Sequence, residues 1–188
     1  MPRRDTRSAI IDAAITLLGR DGPDGLSAST LAREVGVSKA TLFHHFPSID
    51  DIPLAAFDRL IEQMLDWPFT DDATTEDRIA QLGAMTFAAV ETHRDFFNAY
   101  FVFFGKAMFD ERLRTRFRQS IKTLLARMED VFSDADDIDR KALARLVAIV
   151  LDGLALHLLA LDDAHEVERA WKLFQRVVSK GTSNGSRS

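Results

Sequence analysis

The sequence predicts an all-α protein of about nine helices, and three observations support this fold class. Apolar residues recur at intervals of three and four along the 188-residue chain, which is the helical period. Alternating Val, Ile and Thr runs, which are typical of strands, are almost absent. Hydrophobic residues make up 46% of the chain and charged residues 28%, which is an ordinary composition for a globular protein.

The first helix is predicted over about residues 5–20, where the apolar residues share one face. The turn residues Asp21-Gly-Pro-Asp-Gly25 end it. The remaining helices are predicted, in chain order, over about residues 28–35, 39–45, 49–67, 75–92, 95–108, 111–132, 138–160 and 164–179. The segment from Gly181 onward has no apolar content, so we expect residues 181–188 to be a disordered tail.

The second and third predicted helices form a pattern with a functional meaning. Ser27 and Ser38 can each cap a helix, because a serine hydroxyl accepts a hydrogen bond from the free amides of the first turn. Gly36 can end the second helix in left-handed backbone. Two short helices joined by a three-residue turn that contains glycine describe a helix-turn-helix.

The side chains of this pattern fit the same motif. Ala32 is small enough for the two helices to cross closely, and Leu42 and Phe46 are spaced to point inward with Val37. The other residues of the third helix then lie near the outer face. A recognition helix enters the major groove there and meets base edges and phosphates, so the pattern predicts DNA binding.

The segment Gly36-Val-Ser-Lys-Ala-Thr-Leu-Phe-His-His-Phe-Pro-Ser48 resembles the signature of the TetR family of transcriptional regulators, in which Gly-Val-Ser-x-x-Thr-Leu-Tyr-x-Tyr-Phe is usual. The resemblance is strong over about residues 6–60. Beyond them it rests on the helix count and on Leu151-Asp-Gly-Leu-Ala155. It implies a homodimer that binds a palindromic operator in double-stranded DNA, most often as a repressor, and that a small, largely apolar effector releases.

The same resemblance implies three segments and a set of DNA contacts. Residues 1–48 would form the helix-turn-helix domain, residues 49–180 the helical effector-binding and dimerisation domain, and residues 181–188 the tail. Side chains at the start of the second helix and on the third would contact bases or phosphates, or cap the helix that makes these contacts. They are Ser27, Ser29, Thr30, Ser38, Lys39, Ala40, Thr41, Phe43, His44 and His45. Apart from the resemblance, we expect the basic N-terminal arm of Arg3, Arg4 and Arg7 to reach the DNA backbone or the minor groove.

Three positions depart from the family pattern. Phe43 and His45 stand where tyrosines are usual, and Ile49 stands where a lysine often contacts phosphate. His45 can restore one polar contact, whereas the other two positions lose theirs. Residues 1–48 also carry only six Lys/Arg against five Asp/Glu in a chain of net charge −5. We therefore expect salt-sensitive binding that depends on the arginine arm and on dimerisation.

Aromatic residues are concentrated in the sixth predicted helix and around it. One interpretation is core packing; the other is an apolar effector pocket, since ligand sites are mostly apolar with a few polar groups. The predicted ligand-binding residues are Trp67, Phe87, Phe97, Tyr100, Phe101, Phe104, Met108 and Phe117. The possible polar groups are His93, Asn98, Tyr100 and Asp152.

The eighth and ninth predicted helices carry more apolar residues than one core needs. A two-fold four-helix interface would bury the excess. The predicted interface residues are Leu143, Val147, Val150, Leu154, Leu158, Trp171 and Phe174.

The sequence also limits the function classes. It has no cysteine, which excludes disulfides and thiol catalysis, and no glycine-rich phosphate loop, nucleophile elbow or His-Glu-x-x-His metal motif. We therefore expect neither an enzyme nor a cofactor or metal site. No signal peptide or unbroken apolar run of about 18 residues is apparent, so we expect a cytoplasmic protein without a membrane span. The alternative function is a helical small-molecule or lipid-binding module without DNA activity.

Overall fold

A computed structural model describes residues 5–64, 73–135, 139–161 and 163–184, with the side chains of residues 181–184 excepted. These residues form nine α-helices and one short 3-10 turn, and no strand occurs among them. The helices are α1 (Thr6–Asp21), α2 (Ala28–Val35), α3 (Lys39–His45), α4 (Asp51–Met64), α5 (Thr75–Thr92), α6 (Arg94–Ala107), α7 (Glu111–Val131), α8 (Arg140–Ala160) and α9 (Ala164–Asn184). The predicted all-α class is therefore confirmed.

The chain packs as two compact units, which are residues 1–66 with 93–120 (unit 1) and residues 67–92 with 121–188 (unit 2). These packing units do not follow the boundary predicted at residue 48, because α6 and the start of α7 pack with the first four helices. The functional division at residue 48 stays a prediction.

The core of unit 1 is built around α1, which contacts α2, α3, α4 and α6. Its apolar face is fully buried, as the 3.6-residue period requires of a helix that is surrounded on one side. The buried residues of this face include Ile10, Ala14, Leu17 and Leu18, and those that oppose them from other helices include Leu31, Leu42, Phe57, Tyr100 and Phe103. The helix that precedes the helix-turn-helix is thus the common support of that motif and of α6.

Unit 2 is built from α5, α8 and α9, with the second half of α7. Trp171 of α9 packs directly on α5 at Gly83, where a Cβ would lie 2.2 Å from the indole ring. Leu143, Val147 and Leu154 of α8 are buried in the same unit.

The end of α9 differs from the prediction. The helix runs to Asn184, four residues into the predicted tail, whereas residues 185–188 lie outside the described residues. Each residue added to an existing helix gains a backbone hydrogen bond without a new nucleus, so a helix can continue past its last apolar residue. The absence of apolar residues after Lys180 therefore did not mark the end of the helix.

Within the part of the chain that the structure describes, α8 is long and apolar enough to cross a membrane by length and composition. The mean hydropathy of its most apolar window is 2.0, and 28% of that window is buried. Arg145 and Asp152 interrupt the run of apolar residues in this helix, which is why the sequence predicted no span. A helix with apolar residues on several sides is also what burial between other helices requires.

Candidate nucleic-acid interface

The start of α2 is held by a reciprocal cap between Ser27 and Thr30. The Ser27 hydroxyl accepts a hydrogen bond from the Thr30 amide at 3.1 Å, and the Thr30 hydroxyl accepts one from the Ser27 amide at 2.9 Å. The Thr30 hydroxyl also donates to the Gly25 carbonyl at 2.8 Å. Both predicted contact residues therefore have a capping role inside the subunit, while Ser29 beside them is exposed.

The turn between α2 and α3 has the predicted geometry. Gly36 has a φ of 74° and ψ of 33°, the left-handed conformation that glycine adopts without a steric penalty. The amide of Val37 then donates to the carbonyl of Ala32 at 2.9 Å, which closes the end of α2. Ala32 is buried, as close crossing of the two helices requires.

The start of α3 is fixed by Ser38, as predicted. Its hydroxyl accepts a hydrogen bond from the Thr41 amide at 3.0 Å and lies 2.9 Å from the Thr41 hydroxyl. Leu42 and Phe46 are buried and anchor the helix from below. Thr41 is half-buried, so much of its polar surface is turned toward the cap.

The opposite face of α3 is open. Lys39, Ala40, Phe43 and His44 are exposed, and 43% of the Phe43 surface is accessible. His45 is half-buried, and its ring meets that of His44 edge-on with 5.4 Å between centroids. The structure thus brings most of the predicted contact residues of α3 to one exposed face at the helix-turn-helix.

Arg7 of the predicted N-terminal arm lies at the same end of unit 1. Its guanidinium carbon is 4.8 Å from the centroid of the Phe46 ring, the geometry of a cation–π interaction. This contact holds an exposed positive charge next to the C-terminal end of α3. Arg3 and Arg4 lie outside the described residues.

The predicted ligand-binding residues belong to both units. Trp67 lies outside the described residues, and Phe87 belongs to unit 2. In unit 1, Tyr100 is buried in the core, whereas Met108 is 56% exposed. Tyr100 therefore packs as the core interpretation expected, and Met108 faces solvent.

The other predicted aromatic residues keep part of their surface accessible. The ring of Phe117 stacks on Phe57 at 5.4 Å and meets the edge of Phe104 at 5.1 Å, measured between centroids. Phe97 and Phe101 are half-buried on α6. An aromatic surface of α6 and α7 is thus present in unit 1.

Four of the predicted dimer-interface residues are buried within the single chain. Leu143, Val147, Leu154 and Trp171 have at most 6% of their surface accessible, so they have almost no area left for a partner. They pack among α5, α8 and α9 instead. Val150, Leu158 and Phe174 are half-buried.

A different set of apolar residues, none of them among the predicted interface residues, is exposed on the same helices. On α8, Leu146, Ile149 and Leu156 recur at intervals of three and seven, with Gly153 between the last two. Leu173 and Val177 are exposed at an interval of four on α9. The sequence does show a second apolar stripe on α8, which could have indicated these residues. It does not show which of the two stripes is exposed.

Two family models match the chain. Residues 10–56 match the model of bacterial regulatory proteins of the tetR family, and residues 60–181 match the C-terminal model of BetI-type transcriptional repressors. The chain is 27% identical over 154 residues to the HTH-type transcriptional regulator BetI of Rhizobium meliloti, which covers 79% of this chain and 75% of the relative. It is 27% identical over 161 residues to the BetI of Brucella anthropi, which covers 83% of each protein.

Solved structures share the fold at lower sequence identity. A transcriptional regulator from Rhodococcus has a TM-score of 0.79 at 19% identity and covers 94% of this chain and 97% of its own. GusR of Salmonella enterica has a TM-score of 0.76 at 21% identity and covers 97% of both chains. A regulator from Saccharomonospora viridis in complex with choline has a TM-score of 0.68 at 20% identity and covers 94% of this chain and 97% of its own.

Proposed function

The chain belongs to the TetR family of bacterial regulatory proteins, with a BetI-type C-terminal region, and we propose that it acts as a homodimeric cytoplasmic repressor that a small effector releases from its operator. Its class follows from the family: it is a DNA-binding transcriptional regulator and not an enzyme. The alternative of a helical binding module without DNA activity is therefore set aside.

The exposed face of α3 carries the proposal on DNA contact. Lys39 and His44 can donate hydrogen bonds to base edges or phosphates, and Ala40 and Phe43 can contact bases and sugars through apolar surface. Arg7, held on Phe46, adds a charge for the flanking backbone. Ser29 is a further candidate, whereas Ser27, Thr30, Ser38 and Thr41 contribute chiefly by capping the two helices.

The exposed stripe on α8 supports the proposed homodimer. Leu146, Ile149 and Leu156 share one face with Gly153, and no atom lies within 4 Å of a Cβ built on that glycine. A second copy of α8 could therefore approach closely at Gly153 and bury the apolar stripe on both subunits. Leu173 and Val177 of α9 would extend the same surface.

The aromatic surface of α6 and α7 supports the proposed effector class. Phe101, Phe104 and Phe117 offer rings that are only partly buried, which favours a ligand with apolar surface. A quaternary ammonium ion is one such ligand, because its methyl groups are apolar and its charge is attracted to aromatic faces. The similar regulator from Saccharomonospora viridis, which was solved with choline, makes this cation the first to test.

Selection of bound sequences from random duplex DNA with the full chain tests the function. We expect a two-fold symmetric operator and at least tenfold weaker binding by Lys39→Ala. The matched control is Lys122→Ala, which removes an exposed lysine of α7 and should bind as the parent does. Selection of no duplex at all, or equal binding by Lys39→Ala, contradicts the proposal.

Addition of candidate effectors to the complex tests the release step. Choline and its neutral carbon isostere dimethylbutanol share their shape, so a difference between them measures the contribution of charge. Release by either compound supports an effector at the aromatic surface when Phe104→Ala abolishes the effect. Release that Phe104→Ala leaves unchanged contradicts this assignment.

A further inference from the structure

The first two turns of α7 carry four arginines, and two of them have structural roles. Arg114 donates to the carbonyls of Ala107 at 3.1 Å and Met108 at 2.6 Å, which closes the turn between α6 and α7. Arg116 pairs through two nitrogens with both carboxylate oxygens of Asp58 on α4. This two-point pair fixes α7 to α4, because a bidentate contact sets orientation as well as distance.

Arg112 has a different environment. Its Nη2 atom donates to Oδ1 of Asp51 at 3.2 Å, and 67% of its side chain is exposed. Asp51 is the first residue of α4. The guanidinium group has five N–H donors, so a single bond of this kind leaves it able to bridge Asp51 and a second anion. Arg112 is thus a positive charge from α7 at the N-terminal end of α4.

That end of α4 is close along the chain to the proposed recognition helix. Asp51 follows His45, the last residue of α3, by six positions, which can span at most about 20 Å. The Ser48 hydroxyl accepts a hydrogen bond from the Asp50 amide at 3.2 Å, which tightens the connection. This short connection allows the start of α4 to lie beside the phosphates that border the groove when α3 occupies a major groove about 12 Å wide.

The charges of unit 1 make this cation important. Residues 49–66 carry one arginine against five acidic residues, and Asp50 and Asp51 repel any phosphate near the start of α4. Residues 93–120 of the same unit have a positive excess, with six Lys/Arg against three Asp/Glu. Arg112 is the only one of these six cations that bonds to the first turn of α4 among the described residues.

We propose that Arg112 bridges Asp51 and a backbone phosphate of the operator, so that α7 supplies a DNA contact from outside the helix-turn-helix. The inference rests on the proposed entry of α3 into the major groove. The group that binds the remaining donors of Arg112 is a phosphodiester, because a guanidinium group matches phosphate geometry and carries a permanent charge.

The salt dependence of operator binding tests this contact. Each phosphate contact contributes about −0.9 to the slope of log affinity against log salt concentration. Arg112→Ala should therefore reduce the magnitude of the slope by about two for a dimer, and its affinity deficit should shrink about tenfold between 50 and 200 mM salt. Arg118→Ala is the matched control, since it removes an exposed arginine of the same helix and should keep the parental slope.

A double variant distinguishes two explanations of a reduced slope in Arg112→Ala. Arg112 either bonds a phosphate or only neutralises the charge of Asp51. In Asp51→Asn with Arg112→Ala, the slope should stay reduced if Arg112 bonds phosphate. Return of the parental slope and affinity overturns the inference, as does a parental slope in Arg112→Ala alone. Both outcomes leave the proposed function intact, which is contradicted instead when the parent chain selects no duplex or when Lys39→Ala binds as the parent does.

Discussion

The side-chain amide of Asn98 on α6 donates a hydrogen bond to the backbone carbonyl of Gly19 in the last turn of α1, with 3.1 Å between the two atoms. Carbonyls in the last turn of a helix have no partner within the helix, so this bond satisfies a group that would otherwise depend on water. The sequence suggested Asn98 as a possible polar group of an effector pocket. In the structure, its amide links α6 to α1 through this hydrogen bond. The bond joins the aromatic helix to the support of the helix-turn-helix.

We predict that Gly19→Ala destabilises the protein. A Cβ at this position would lie 2.0 Å from the carbonyl oxygen of Asp95, and backbone atoms cannot move away as a side chain can. The expected loss is about 1–3 kcal/mol in the free energy of unfolding, as for overpacked sites. Urea denaturation followed by circular dichroism measures it.

The control for this substitution is Gly105→Ala in the last turn of α6. No atom lies within 4 Å of a Cβ at Gly105, so alanine should only improve helix propensity, by about 1 kcal/mol. Equal effects of the two substitutions would show that α1 and α6 do not approach as closely as the structure indicates.

We predict that substitutions at two nearby residues of α9 affect different properties, the stability of the subunit in one case and its association in the other. Trp171 is buried against Gly83, so Trp171→Ala should lower the stability of the subunit by about 3–5 kcal/mol. Leu173 is 54% exposed, so Leu173→Asp should leave the fold intact and weaken association. Analytical ultracentrifugation separates the two outcomes, and Ala126→Glu on the exposed side of α7 is the control for an added charge. A dimer of parental affinity in Leu173→Asp argues against this surface.

We predict that Asp134 stabilises unit 2 in a pH-dependent manner. Its carboxylate accepts a hydrogen bond from the Thr75 amide at 2.8 Å and one from the Thr75 hydroxyl, and lies 3.2 Å from the Arg78 guanidinium. Burial raises the pKa of Asp134, but the hydrogen bonds from Thr75 and the Arg78 charge together hold this pKa below its ordinary value. The stabilisation is therefore present above the unfolded-state pKa of about 3.9 and is lost as the pH falls through the folded-state pKa.

Asp134→Ala should consequently cost about 1 kcal/mol at pH 7, the usual effect of removing a helix cap. The side chain of Asp134 is 43% exposed, which keeps the electrostatic part of this effect small. The difference from the parent chain should shrink below about pH 4, since both then lack the charge. Asp130→Ala, which removes an exposed carboxylate of α7, is the matched control for the loss of one negative charge.

The parts of this fold that the sequence predicts are those with local causes. Ser38 and Gly36 set the helix-turn-helix through bonds to residues within five positions, so their types and spacing were enough. The outward face of α8 was not predictable in this way. Val147 and Leu146 are adjacent and equally apolar, and only the packing of α5 and α9 decides that the first is buried and the second exposed.

The charge partners of unit 1 depend on the tertiary fold for the same reason. Asp58 and Arg116 are 58 residues apart, and nothing near either residue marks the other as its partner. Local signals were therefore enough to predict the recognition helix α3, whereas the contact proposed for Arg112 of α7 depends on the packing of α4 with α7.

We predict that Phe43→Tyr strengthens operator binding. Phe43 is exposed on α3 where tyrosine is usual in the family signature, so the substitution adds a hydroxyl without burying it. A hydrogen bond from this hydroxyl to a charged phosphate is worth about 1.5 kcal/mol or more, which corresponds to roughly a tenfold gain in affinity for each half-site of the operator. Phe104→Tyr adds the same group to a partly exposed ring of α6 and should leave operator binding unchanged. Fluorescence anisotropy at two salt concentrations measures both, and a gain for Phe104→Tyr alone would place the phosphate contact away from α3.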